Sequence, residues 1–404
     1  MTHCRSCGSG HLHPILDLGS TPLANSLLTA EQLNQPEATY PLVLVYCSDC
    51  HLVQITETVP PDVLFSHYLY FSSFSTTMLQ HAKTLAERLI AERSLNERSL
   101  VVEIASNDGY LLQNYVRASV PVLGIEPAAN IVKVANDNGV RTLAQFFNQE
   151  VAIEVAQDGL ADVIHANNVL AHVAELNSVV EGFRRLLKPQ GVVIVEAPYV
   201  GDMIIHNEFD TIYHEHLCYF SLTALQGLFA RHGLTIVDVE RLPIHGGSLR
   251  IFAAHEGTLV GQRVTDLLHE EQTHGMTSFA FYQNFGQQVE AVKRELLALL
   301  HDLKAQGKAI AAYGASAKGA TLLNTFGIGR DTLDFMVDRS TVKQGMFTPG
   351  TMLEILPPEA LLERQPDYTL LLTWNFADEI LQQQTDYREK GGKFILPIPS
   401  VKVV

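Results

Sequence analysis

Residues 101–112 read VVEIASNDGYLL. An apolar run, 100–104, ends in the small and polar residues Ala105, Ser106, Asn107 and Asp108. Gly109 follows, and Tyr110-Leu111-Leu112 opens a helical pattern. That order predicts a buried parallel strand, a tight turn and a helix start. In an open α/β sheet a ligand sits at the carboxyl ends of the strands, beside such a turn. Glu103 stands two residues before the bend. Farther on, VLGIEPA closes a second apolar run at Glu126, where an acidic side chain is placed to accept two ribose hydroxyls. One ribose-bearing ligand is therefore expected across the first two strands.

The turn chemistry selects among such ligands. A dinucleotide fold needs G-x-G-x-x-G, so that backbone amides can approach a pyrophosphate. This bend has one glycine, Gly109, with two acids, Glu103 and Asp108, in the residues leading up to it. Glu103 and Asp108 would repel a pyrophosphate and favour a ligand carrying an ammonium and a sulfonium. S-adenosylmethionine carries both, plus the ribose. The stretch resembles motif I of the seven-strand methyltransferases in its E-x-x-x-N-D-G version, with Ala105 where many members have glycine. The expected cofactor contacts are Glu103, Ser106, Asn107, Gly109, Tyr110 and Glu126. Phe146, after the third strand, is a candidate flank for the adenine, and Asn167 and Asn168 close the fourth strand.

The chain has 404 residues, 47% hydrophobic and 18% charged, which predicts two or three well-packed domains. A formal net charge of −16 disfavours nucleic acid as a partner. The first residues, MTHCRSCGSGHLHP, lack a signal core, and no apolar run reaches the ~18 residues of a membrane span. A soluble cytoplasmic protein is expected, its oligomeric state open. Four of the five cysteines stand as Cys4-x-x-Cys7 and Cys47-x-x-Cys50. In a cytosolic chain that pattern predicts a metal knuckle, and four thiolates close a tetrahedral shell around structural zinc. His3, His11, His13 and His51 lie near enough in sequence to compete. Cys218 stands alone and is expected in the core.

In order along the chain, residues 1–60 are expected to form a short, turn-rich zinc-binding domain. A helix then leads into the main sheet, with an aromatic-hydroxyl head, 68–75, as core or lid. Strands are predicted at 100–104, 121–125, 140–143, 161–166, 191–197, 234–240 and 247–254, and helices at 109–118, 128–138, 149–157, 176–187 and 222–231. That alternation means a largely parallel sheet covered on both faces. A polar insertion, 200–221, follows the fifth strand, and a long helical stretch covers 275–306. A second α/β unit begins with a strand at 308–313. Its turn, Gly314-Ala315-Ser316-Ala317-Lys318-Gly319, has Walker-like glycine spacing but continues Ala-Thr where Lys-Ser or Lys-Thr is needed. A helix start with small residues and one lysine still suits a phosphate. The fold class is α/β with three domains, 1–60, 61–270 and 271–404.

The densest polar cluster is YHEHLCYFS, 213–221. Histidine titrates near working pH and serves as a general base. His214 and His216, two apart, do not share a helix face as H-E-x-x-H ligands do, so a metal here is not expected. The whole order of parts resembles the nucleotide-sugar C-methyltransferases of deoxysugar pathways: the double C-x-x-C, E-I-A-S-N-D-G, Y-H-E-H-L-C-Y-F-S, H-G-G-S-L-R (His245 to Arg250) and Y-G-A-S-A-K-G. That resemblance implies a zinc-binding N-terminal domain, a central seven-strand Rossmann-like methyltransferase domain and a Rossmann-like C-terminal domain binding a nucleotide sugar. It implies methylation of a ring carbon, often C3, of a nucleoside-diphosphate 4-keto-6-deoxyhexose. His216 matches the family's base, Tyr213, Glu215 and His172 match its partners, and Tyr68 or Tyr70 matches a further tyrosine. Substrate contacts are expected from Tyr199, Asn207, His245, Ser248, Arg250, Tyr313, Ser316 and Lys318. Three rivals are an N- or O-methyltransferase of a small metabolite, a nicotinamide oxidoreductase and a non-catalytic zinc-knuckle protein.

Overall fold

The computed structural model describes residues 2–60, 63–64, 73, 76–244 and 246–404. The N-terminal part is more regular than the expected turn-rich knuckle. Strand β1, Leu12–Pro22, pairs antiparallel with β2, Thr39–Cys47, and β2 pairs with β3, Val53–Ile55. The two cysteine pairs are loops at one end of this sheet.

The central sheet follows the predicted runs closely. Its strands are β4 (Val101–Ile104), β5 (Val122–Ile125), β6 (Thr142–Leu143), β7 (Ala161–Asn167) and β8 (Leu187–Pro198). After β9, Cys218–Tyr219, come β10 (Leu234–Leu242) and β11 (Ser248–His255). The seven-stranded order is β10-β11-β8-β7-β4-β5-β6, with β11 antiparallel to both neighbours. β4 is central and all four of its residues are buried, because helices cover both faces. Gly124 in β5 is required by packing, since a Cβ there would collide with Ser106 Oγ and Thr142 Oγ1.

The third sheet is a second, largely parallel unit, built from β12 (Ile310–Tyr313), β13 (Met336–Val337), β14 (Ile355–Leu356), β15 (Tyr368–Leu371), β16 (Lys393–Leu396) and β17 (Lys402–Val403), with β17 antiparallel to β16. Its order, β14-β13-β12-β15-β16-β17, puts the topological switch point between β12 and β15. The expected single helix over 275–306 is two, Phe279–Gln283 and Phe285–Ala305, preceded by a further helix, Gln262–Thr273.

The insertion 200–221 departs most from expectation. It is not a loop: it holds a helix, Val200–Ile205, a short 3-10 turn, Phe209–Thr211, and β9. β9 pairs antiparallel with β3 and so completes the N-terminal sheet from 166 residues downstream (Val53↔Tyr219). Among the described residues no helix is long and apolar enough to cross a membrane.

Candidate active site

The cofactor edge is built by the turn after β4. Ala105, Asn107 and Gly109 all have positive φ (51°, 48° and 81°), which folds the backbone tightly against β5. Glu126, at the tip of β5, locks this turn: one carboxylate oxygen accepts from Asn107 N at 3.1 Å and the other from Ala128 N at 3.0 Å. Asp108 accepts from Ser73 N at 3.3 Å. Glu103 is 1% exposed, and burial, then Glu126, Asp108 and Glu196, push its carboxyl well above the usual range. Glu103 Oε2, Asp108 Oδ1, Ser106 Oγ and Asn167 Oδ1 are buried without a partner among the described residues. A site rich in orphaned acceptors wants a ligand rich in donors. The ammonium and ribose hydroxyls of S-adenosylmethionine supply them. Phe146 is half exposed, free to flank a ring, while Phe147 packs on Phe183 in the core. Tyr110 is buried in the core beneath the turn, and Asn168 donates its backbone N–H to Glu196 O at 2.7 Å.

The histidines lie at the adjoining strand end. After β7 the chain makes a short turn, Leu170–His172. Ala171 O accepts from Leu217 N at 2.7 Å, bringing the insertion against this edge. The rings of His172 and His216 meet edge-on at 4.9 Å. His216 Nδ1 is 2.9 Å from Thr211 O and Nε2 is 2.8 Å from the Tyr213 hydroxyl. A carbonyl can only accept, so Nδ1 carries the proton and Nε2 keeps the basic lone pair. His172 is held by the backbone of Glu215, and burial lowers its pKa to about 4, so it is neutral at pH 7. Glu215 is buried, with Oε1 2.7 Å from Asn25 Nδ2, and burial raises its pKa against that hydrogen bond. His214 points away, with Nε2 3.2 Å from the carbonyls of Tyr40 and Pro41. It clamps the insertion onto β2.

A second polar group lies where the insertion meets the third sheet. Trp374 Nε1 donates to Asp210 Oδ2 at 2.7 Å, and Lys318 Nζ sits 4.6 Å from the Trp374 ring centroid. Lys318 Nζ has no hydrogen-bond partner among the described residues. Burial, opposed by Lys318, raises the pKa of Asp210, and the same balance raises Glu208 to about 8. Gly246 and Gly247 are glycines because Glu208 and Asp202 approach them so closely that a Cβ at either would clash with the facing carboxylate. Ser316 is spent as an N-cap on Gly319 N at 3.1 Å, and the Tyr313 hydroxyl is buried without a partner among the described residues. Asn207 donates to Pro399 O at 3.3 Å.

Three expected substrate contacts lie elsewhere. Arg250 is buried in an ion network with Glu196 and Glu240 (Nε to Glu196 Oε1 2.7 Å, Nη1 to Glu240 Oε2 2.9 Å). Tyr199 is buried between Met276 and Arg241, and Ser248 closes an internal turn on Ile244 O. Arg250 and Ser248 lie on β11, an interior strand, and Tyr199 directly follows β8; local pattern does not tell which partners such residues meet. Tyr68, Tyr70 and His245 fall outside the described residues. Sequence reasoning missed Asn25, Asp210, Trp374 and Asp338. Asp338 alone had a signal: it follows β13 as Glu126 follows β5, and it repeats that carboxylate's pattern, accepting from Ala315 N and Ser340 N, each at 2.8 Å.

The four cysteine sulfurs lie within 4.8 Å of one another, with Cys4–Cys50 at 3.5 Å and Cys7–Cys47 at 3.6 Å. A tetrahedral zinc with ~2.3 Å bonds needs sulfurs about 3.8 Å apart, so the cage fits. Both knuckles turn through a left-handed residue, Gly8 and His51. The competing histidines bond elsewhere: His51 to Tyr46, His11 to Asp49 and His13 to Ser48.

The central fold and its acceptor-rich turn define an S-adenosylmethionine-dependent methyltransferase with a zinc-binding domain. Family models agree along the chain: a zinc binding domain at residues 4–65, a methyltransferase domain at 78–239 and a C-methyltransferase C-terminal domain at 243–399. The sequence is 39% identical to the C-methyltransferase NovU of Streptomyces niveus over 407 residues, covering 99% of this chain and 96% of that protein. The chain belongs to the C-methyltransferase family. That membership sets aside N- or O-methylation, the oxidoreductase and the non-catalytic knuckle. Solved structures overlap it in part. They include magnesium protoporphyrin IX methyltransferase of Synechocystis (15% identity, 44% of this chain and 79% of that one, TM-score 0.34). Another is the CcbJ methyltransferase of Streptomyces caelestis (13%, 44% and 90%, TM-score 0.34).

Proposed function

We propose that the carbon methylated belongs to a nucleoside-diphosphate 4-keto-6-deoxyhexose, at C3, and that His216 is the base. The observation that carries this is the His216 tautomer: Nδ1–H is tied to Thr211 O, and Nε2 keeps a lone pair beside the cofactor edge. A carbon acid needs such a base, because the hydrogen beside a ketone leaves only if its electron pair becomes an enolate. His216 Nε2 takes the proton. Tyr213, once displaced from Nε2, is the donor for the developing oxyanion, while neutral His172, its one N–H given to the Glu215 backbone, packs edge-on against His216. The cofactor, when bound, supplies an electrophilic methyl on sulfur. The enolate pair would form the new carbon–carbon bond as the methyl–sulfur bond breaks, the pair of that bond staying on sulfur as the neutral thioether, and the proton stays on the His216 imidazole until solvent removes it. The nucleotide lies on the third sheet in this reading, its phosphates near Lys318 and its ribose toward Asp338. Cytoplasmic deoxysugar synthesis is the setting such a substrate implies.

The Tyr213 hydroxyl occupies the Nε2 lone pair. Substrate must displace it, or lose its proton through it. The test is exchange. With S-adenosylhomocysteine bound, wild type should exchange the target C–H with deuterated water, and His216→Ala should lose exchange and turnover by ~100-fold or more. Tyr213→Phe should lose less if it orients the base, and as much if it relays the proton. Undiminished exchange in His216→Ala overturns the assignment. His172→Ala is the informative neighbour, since His214 is a structural clamp.

A further inference from the structure

We propose that Asn25, supplied by the zinc-binding domain, is a positioning residue for the reaction, its carboxamide fixing Glu215, the residue whose backbone holds His172 and whose chain neighbour is His216. The inference rests on the reading that Y-H-E-H is the reacting cluster. Asn25 lies just past the end of β1 and donates Nδ2–H to Glu215 Oε1 at 2.7 Å, across 190 residues of sequence. Among the described residues it is the only side chain that hydrogen-bonds the Glu215 carboxyl. Glu215 in turn carries the backbone group that holds His172, and its chain neighbour is His216. A shift of Glu215 therefore moves both rings.

The loop that presents Asn25 is itself fixed at both ends. Ser26 N donates to Leu23 O at 3.1 Å on one side, and Leu28 bridges Phe347 of the third-sheet domain on the other. Its tip cannot drift without breaking its own turn at Leu23 or the bridge from Leu28 to Phe347. The residue type also fits. A carboxylate at position 25 would repel Glu215, and an alanine would leave a buried carboxyl without its donor. Asn25 itself is exposed, so truncating it removes no core packing. A purely structural role would accordingly be weak.

The test compares Asn25→Ala and Asn25→Asp with wild type. Turnover of a nucleotide 4-keto sugar is measured from pH 6 to 8.5, with kcat and KM separated, alongside zinc content and melting temperature. Both variants should keep zinc and cofactor affinity and lose kcat, Asn25→Ala by roughly 10-fold or more, the scale of a misaligned reacting group. Asn25→Asp should be the worse at pH 8.5 and should gain on Asn25→Ala as pH falls. Two facing carboxyls then share a proton, and an O–H donor replaces the lost N–H. The titratable groups around Glu215 are His172, His214, His216 and Tyr213, and the ratio of the two variants cancels their common titration. Wild-type turnover with both variants within twofold overturns the inference alone. Equal, pH-independent losses accompanied by lost zinc or a lower melting temperature also overturn it, leaving Asn25 a fold residue. No wild-type turnover on any such sugar overturns the functional reading and this inference with it.

Discussion

Replacing Glu103 by glutamine isolates the charge that the cofactor edge holds in reserve. The side chain is 1% exposed and Oε2 has no partner among the described residues. Burial and three neighbouring acids keep the carboxyl protonated well above the ordinary carboxylate range. Glutamine has nearly the same shape and mimics that protonated form. An arriving ammonium pairs with the carboxylate, so binding draws the proton off Glu103. A charge-assisted hydrogen bond is worth ~1.5–3 kcal/mol, or roughly 10- to 160-fold in affinity. The sign follows. At low pH the bond is offset by the cost of ionising the acid, and the two proteins should bind S-adenosylhomocysteine within ~3-fold. As pH rises toward the raised pKa that cost disappears and wild type should pull ahead toward the full factor. Calorimetry at pH 6 and 8.5, in two buffers of different ionisation enthalpy, reads both quantities. Wild type should release a proton on binding and Glu103→Gln should not. A pH-independent ratio, or no proton release from wild type, would refute the argument.

Further outcomes follow from the same geometry. Glu208, raised to about 8 from 4.5 by burial, binds its proton more tightly in the folded chain; its contribution is complete below pH 4.5 and lost as pH rises through 8. Glu208→Gln should match wild type in denaturant unfolding at pH 5 and exceed it at pH 9, by at least ~1 kcal/mol against a ceiling of about 5 at 1.36 kcal/mol per pH unit; equal stability at both would contradict the burial argument. One zinc per chain is expected on Cys4, Cys7, Cys47 and Cys50, and chelation should lower the melting temperature and turnover together; turnover lost ahead of the fold would rule out a structural ion. Lys318→Ala should raise KM for the sugar nucleotide ~10-fold and leave S-adenosylhomocysteine affinity alone, as expected for a lost charged contact; the reverse would move the phosphates elsewhere.

The central sheet was legible because its signal is local. A run such as 121–125 is apolar on both faces, as a strand covered by helices on both faces requires, so seven runs placed seven strands, with bounds off by as much as four residues where β8 begins at Leu187 instead of 191. The turn chemistry was legible for the same reason. Ala105 shows the limit: it takes the left-handed conformation expected of glycine, with φ 51°, although its residue type does not announce it. The cysteine cage was legible because C-x-x-C repeats itself in sequence.

Which side chains face one another across the domains was decided by tertiary structure alone. Arg250, Tyr199 and Ser248 have the same residue types as substrate contacts, yet their strands turn them inward to Glu196, Met276 and Ile244. The insertion carried no regular period, so nothing local announced that Cys218–Tyr219 would pair with β3, or that His214 would face Tyr40 rather than a ligand. Asn25 with Glu215 and Trp374 with Asp210 join residues more than 160 positions apart. Hydrophobic periodicity records which side of an element is buried, and it says nothing about what is buried against it. Local patterning sufficed for the fold class, the glycine turn after β4 and the cysteine cage, whereas the packing of three sheets around one short insertion decided which side chains meet at residues 213–216, the reacting cluster of the proposed function.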